Sequence, residues 1–153
     1  MYNGFELCVG TPLPGREEYL DSEKYEIRAW DWDRPGNIAA EIAQLNAIRR
    51  LNPALHTHLG ISFLPATGDQ ILFFEKATPD RSNVVLAAIS LDPRNTQHAE
   101  LSIPFRRFRP EPAGLEVADL LQDRRERWHD RSRHVSLTPE RPYALWRIRP
   151  ATP

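Results

Sequence analysis

One cysteine, one methionine and seven glycines stand in a chain of 153 residues. A lone thiol, Cys8, excludes an internal disulfide framework and any zinc site built from several cysteines, and it fits a reducing compartment. Net charge is nearly absent as well, at −1, so no global field draws nucleic acid or an anionic membrane. No apolar run approaches the roughly 20 residues of a membrane span, and Met1 opens neither a basic leader nor an apolar signal core. These lacks lead to an expectation of a cytoplasmic protein with no nucleic-acid or membrane partner. What the chain does hold is proline, fourteen of them spread along its length. Many short elements separated by turns are expected, rather than long helices.

Three regions differ in pattern. Met1 to Asp33 is loop-like, with a turn-rich GTPLPG at Gly10 to Gly15. Its second half, EYLDSEKYEIRAWDWD from Glu18 to Asp33, packs four large aromatics and eight charged side chains into sixteen residues. Only Ala29 to Asp33 alternates, Trp30 and Trp32 against Asp31 and Asp33, so the segment reads as a packed functional loop rather than a linker. From Ile38 to Asn52 the residues Ile38, Ile42, Leu45, Ile48 and Leu51 recur at helical spacing and make one apolar stripe. Asn37 is suited to cap the start of that helix and Pro53 to stop it.

Beyond Leu59 the period becomes that of strands. Ile71–Ala77, Val84–Leu91, Ala99–Phe105, Leu115–Leu121, Glu126–Trp128, His134–Leu137 and Tyr143–Ile148 are short runs divided by Pro, Asp, Asn or Gly. Runs at such spacing without intervening helices predict an antiparallel sandwich or barrel, with the nearly all-apolar VVLAAISL as a central strand. The expected organisation is a loop and helix over residues 1–55 and an all-β domain over 60–153. A single strand–loop–helix unit cannot bury its own apolar face, so residues 1–55 read as the end of something larger, with Met1 an internal methionine.

GFELCVGTPLPGREEYLDSEKYEIR, then EIAQLNAIRRLNPAL, then a β-domain closing in LTPERPYALWRI, resembles the C-terminal portion of the alpha-1,4-glucan:maltose-1-phosphate maltosyltransferases. That family lies within the alpha-amylase superfamily, glycoside hydrolase family 13. The resemblance implies a mainly β fold: a C-terminal antiparallel β-sandwich preceded by the last βα unit of an incomplete (β/α)8 barrel. It implies maltose 1-phosphate and an α-1,4-glucan as partners once the barrel is present; no cofactor or metal is expected. Lys24 and Tyr25, matching the family's SEKYE motif, are then the substrate-binding residues that line the maltosyl pocket. An ammonium donates to sugar hydroxyls, and a phenol packs on a pyranose and hydrogen-bonds at its tip. Val9 departs from the pattern, standing where glutamate is expected. The retaining reaction needs two carboxyl groups about 5–5.5 Å apart, and in the superfamily these lie on earlier barrel strands. No catalytic residue is therefore expected in this chain, which is expected to be inactive in isolation. The alternative is a free-standing, noncatalytic β-sandwich module that binds an α-glucan or a protein; a homodimer is left open.

Other residue groupings suggest chemistry and carry plainer readings beside it. Asp31 and Asp33, about 6.6–6.8 Å apart if extended, match the separation used by inverting glycosidases, yet without a dry pocket they are expected to be solvated or to fix the loop. Trp30 and Trp32 are expected to pack against the helix, with a sugar-stacking face as the alternative. His56 and His58 could share a strand face toward a metal, but no third ligand follows at a recognisable spacing, and a surface or turn role is expected. Cys8 has no base near it in sequence and is expected to be a small buried apolar residue. Residues 105–134 hold eight arginines against six acids, a balance too even for nucleic acid. Solvated strand faces and ion pairs are expected there.

Overall fold

The computed structural model describes residues 4–20, 27 and 29–151. They divide into two compact units, Met1–Ala47 and Ile48–Pro153.

In the first unit a 3-10 turn, Phe5–Leu7, leads into a loop that doubles back on itself. Leu20 donates its N–H to the Thr11 carbonyl at 2.7 Å and Leu13 to that of Glu18 at 2.7 Å, with Pro12 bridged to Tyr19 between them. The Ala29–Asp33 stretch forms no strand among the described residues. Helix α1, Ala39–Leu51, follows. Asn37 caps it as expected: its side-chain oxygen accepts the Ala39 N–H at 3.1 Å, while its amide donates to the Arg34 carbonyl at 2.8 Å. The stripe is buried unevenly. Ile48 is 7% exposed, whereas Leu45 is 36% and Leu51 74% exposed.

The second unit is a two-sheet β-domain. Its strands are β1 (Ile61–Phe63), β2 (Ile71–Ala77), β3 (Val84–Ser90), β4 (Gln97–Ser102), β5 (Leu115–Asp119), β6 (Arg124–Trp128), β7 (Ser132–Leu137) and β8 (Tyr143–Pro150). Six form an antiparallel sheet in the order β1-β2-β3-β8-β5-β6, and β4 pairs with β7 in a second sheet. The mainly β, antiparallel reading thus holds. Boundaries shift at several ends: Phe105 belongs to a 3-10 turn, Phe105–Arg107, rather than to β4, and β1 carried too short a pattern to be anticipated.

The core lies between the sheets. Phe73, Leu86, Leu115, Val117, Trp128, Trp146 and Ile148 of the larger sheet meet Leu101, Val135 and Leu137 of the smaller one. As its composition predicts, β3 is interior: Val84 to Ala88 are all at most 3% exposed. Alternate residues of a strand face opposite ways, so Val84, Leu86 and Ala88 join the core while Val85 and Ala87 face outward. A 3-10 turn at Pro53–Leu55 packs against β2 and β3. Asn83, at the foot of β3, anchors that turn: its carbonyl oxygen accepts the Ala54 N–H at 3.0 Å and its amide donates to Asn52 at 3.2 Å. Asn52 in turn donates to the Ile48 carbonyl at 2.8 Å. These buried amides satisfy one another and the helix end, as buried polar groups must.

Candidate functional site

Lys24 and Tyr25 lie outside the described residues, so the geometry that bears on them is that of the flanking loop. On the N-terminal side, the rungs joining Thr11 to Leu20 and Leu13 to Glu18 lead the chain into residue 21 from a defined direction. Beyond residue 28, Trp30 is half-buried over Gly4. A Cβ built on Gly4 would lie 2.5 Å from the Trp30 ring, and its φ of +83° is one that side chains rarely adopt. Only glycine lets the indole sit there. The Ile38 N–H donates to the Glu6 carbonyl at 2.8 Å, which ties the two stems of the loop together. Val9, half-buried, gives this region no carboxylate.

Trp32 departs from the packing expectation, since it is 57% exposed while Trp30 is held. Cys8 departs also. It is exposed, because it occupies the left-handed position that closes the 3-10 turn, at φ 52°, while Leu7 takes the buried position at 1% exposure. Asp31 accepts the Asp33 N–H at 3.1 Å and so fixes the turn; both carboxylates are exposed. His56 and His58 are exposed in a bend, with a His56 ring nitrogen 3.2 Å from the Arg50 carbonyl. Among the described residues no three His, Cys, Asp or Glu side chains gather as metal ligands would.

Two charged arrangements in the β-domain were not legible by spacing. Glu75, 2% exposed on the core side of β2, receives both prongs of Arg81, at 3.0 and 3.2 Å, and one from Arg107 at 2.6 Å. Burial alone raises the pKa of this carboxyl, but the hydrogen bonds and charges of the two arginines outweigh it and hold the group below 4.5. A carboxylate so clamped neither donates a proton nor reaches a ligand. It is a structural anion, and Arg81 also lies 4.9 Å from the Phe108 ring centre. The second arrangement is the outward face of β5, β6 and β8. There Glu116 pairs with Arg149 at 2.6 Å and Arg127 at 3.5 Å, beside a cavity of about 580 Å³. On the core side of β6, Glu126 pairs with Arg133 at 3.0 Å.

Comparison with known proteins follows the same lines. Two solved α-amylases share the fold. The enzyme from Geobacillus thermoleovorans superposes with a TM-score of 0.61 at 18% identity, covering 82% of this chain and 26% of that one. An Anoxybacillus α-amylase gives 0.50 at 19% identity, over 74% and 23%. In sequence, three proteins named alpha-1,4-glucan:maltose-1-phosphate maltosyltransferase match nearly the whole chain. That of Burkholderia pseudomallei is 50% identical over 99% of the chain, that of Pseudomonas aeruginosa 49% over 97%, and that of Myxococcus xanthus 48% over 97%. The matches span only 14%, 23% and 22% of those relatives. A family model described as "GLGE, C-terminal" matches residues 63–145, more than half of the chain, and the chain belongs to that family.

Proposed function

We propose that this chain is the C-terminal part of a maltosyltransferase that moves maltosyl units from maltose 1-phosphate onto an α-1,4-glucan with retention. Near-complete alignment of the chain, at 48–50% identity, with proteins of that name carries the reading. In it, residues 1–55 are the terminal βα segment of a (β/α)8 barrel and residues 60–153 the all-β domain. Lys24 and Tyr25 line the maltosyl pocket, one donating to hydroxyls and the other packing on the ring. The nucleophile and acid of the retaining reaction are supplied from outside residues 1–153. The described residues lend support: Asp31 is spent on the Asp33 N–H, and Glu75 is locked between arginines. A free-standing glucan- or protein-binding module is the less favoured reading, because the transferase relatives align through both units. The cytoplasm is the compartment we assign, where one exposed thiol stays reduced. Whether a second copy of the chain is a partner is read directly by sedimentation of the purified protein.

The test is phosphate release from maltose 1-phosphate in the presence of glycogen, measured on the complete polypeptide encoded at the locus. Lys24→Ala and Tyr25→Ala should each raise KM for maltose 1-phosphate about tenfold or more, the loss of a sugar hydrogen bond or stacking contact, while the thermal midpoint stays put. Unchanged kinetics in both variants would remove these residues from the pocket. No turnover by the complete polypeptide would remove the transferase reading itself.

A further inference from the structure

We propose that the outward face of β5, β6 and β8 binds a phosphate-class oxyanion between Arg125 and Arg147, above Ala118. Strand register creates the arrangement. Arg127, Glu116 and Arg149 stand opposite one another across β6, β5 and β8, and two residues along the same face Arg125, Ala118 and Arg147 do likewise. In the first row the central carboxylate pairs with both flanking cations: Arg149 donates through Nε at 2.8 Å, and Arg127 lies at 3.5 Å.

The second row has the same two flanks with a methyl group at its centre. Among the described residues no hydrogen bond or ion pair joins Arg125 or Arg147 to a carboxylate, although the charge of Arg125 is felt by Glu116 in the adjoining row, and both side chains are exposed. Val85 continues this row on β3 and is buried and apolar, so it supplies no counter-charge either. Ala118 leaves open the cavity of about 580 Å³ that these strands line, with four arginines against two glutamates on its walls. One of those, Glu126, is already paired with Arg133.

The spacing selects the ligand. Arg125 and Arg147 sit on strands separated by one intervening strand, about 10 Å apart at the backbone, and their long side chains can converge on a group seated over Ala118. A carboxylate offers two oxygens in one plane, and Glu116 divides its pair between Arg149 and Arg127. A tetrahedral oxyanion presents three or four oxygens and accepts a fork from each side. The group can arrive as free phosphate or as the headgroup of a phosphorylated sugar. This inference does not depend on the maltosyl pocket or on Lys24 and Tyr25.

The test is calorimetric titration of the full chain, at constant ionic strength, with inorganic phosphate and separately with glucose 1-phosphate. Saturable one-to-one binding is expected, weakened tenfold or more in Arg125→Gln and in Arg147→Gln. Ala118→Glu supplies an internal carboxylate in place of the ligand and should abolish binding with an unchanged far-ultraviolet circular dichroism spectrum. Arg106→Gln, exposed on the 3-10 turn, should bind as the parent does. Binding of glucose 1-phosphate alone identifies the ester as the ligand, and equal binding of both identifies the phosphate group itself. Absence of saturation with either probe overturns the proposal. So does equal weakening in Arg106→Gln, which would make the effect one of net charge, and so does undiminished binding in Ala118→Glu.

Discussion

Glu75 sits on the side of β2 that also carries Ile71, Phe73 and Ala77, and it is 2% exposed. Its alternation with Phe74 and Lys76 is what a strand reading of ILFFEKA yields, but the partners that make its burial tolerable are Arg81 and Arg107, 6 and 32 positions away. Spacing does not reveal them, because a β-hairpin and a later turn bring them in. Removing one member of a buried pair leaves the others uncompensated, so Glu75→Gln should lower stability by about 3 kcal/mol in urea unfolding. A loss under about 0.5 kcal/mol would mean the clamp is solvated. Because the folded carboxyl is held below its ordinary 4.5, its stabilisation is complete above that pH and declines as the pH falls toward the folded value. The unfolding midpoint should therefore drop below about pH 4.5, less steeply in Glu75→Gln. Gly60 is the second residue of this kind: at φ 71° its missing side chain would meet the Ala77 carbonyl oxygen at 2.3 Å. Gly60→Ala forces the backbone of the β1–β2 pair apart and should cost about 2 kcal/mol or more by the same assay.

At the scale of elements, α1 was legible at both ends, since a cap and a proline act through local geometry. Its burial was not. Ile48 is covered and Leu51 is open, though the stripe treats them alike, and what a face meets is a matter of neighbours far along the chain. The 3-10 turn at Pro53–Leu55 is anchored by Asn52 and Asn83, neither of which any pattern singled out. Asn83→Ala strands the Ala54 N–H and the Asn52 side chain in a dry setting, so a loss of about 2 kcal/mol is expected. Amide exchange at Ala54 should accelerate in step; an unchanged rate there would place the anchor elsewhere. Strand β6, at the edge of its sheet, carries Arg124, Arg125 and Arg127, charges of the kind that discourage pairing with another chain's edge. The even local charge balance pointed away from nucleic acid, but only strand pairing separated the row with a central carboxylate from the row without one.

For the molecule as a whole, the β-domain core is one cluster drawn from both sheets. Leu86 belongs to the larger sheet and Leu101 to the smaller, and each is 0% exposed. Truncation at either, Leu86→Ala or Leu101→Ala, should cost about 2–5 kcal/mol and shift a single cooperative transition. Two separated transitions would mean that the sheets fold independently. Alone, residues 1–153 are expected to release no phosphate from maltose 1-phosphate with glycogen present, because the proposed function assigns the retaining pair of carboxyl groups to other residues. Measurable turnover would overturn that expectation.

By itself the sequence determined the antiparallel β class, the interior position of β3, the helix with its cap and stop, and the family resemblance carried by the loop motif. Each of these is written in neighbouring residues, as a period, a turn former or a contiguous motif. Tertiary structure alone decided which carboxylates are clamped, that Cys8 and Trp32 face outward, that Asn83 anchors the helix end, and that Arg125 and Arg147 flank a gap where Glu116 fills the adjoining row. Those outcomes depend on strand order and register. Pairing β5 with both β6 and β8 brings side chains about thirty residues apart onto one face, and their electrostatics follow from that juxtaposition.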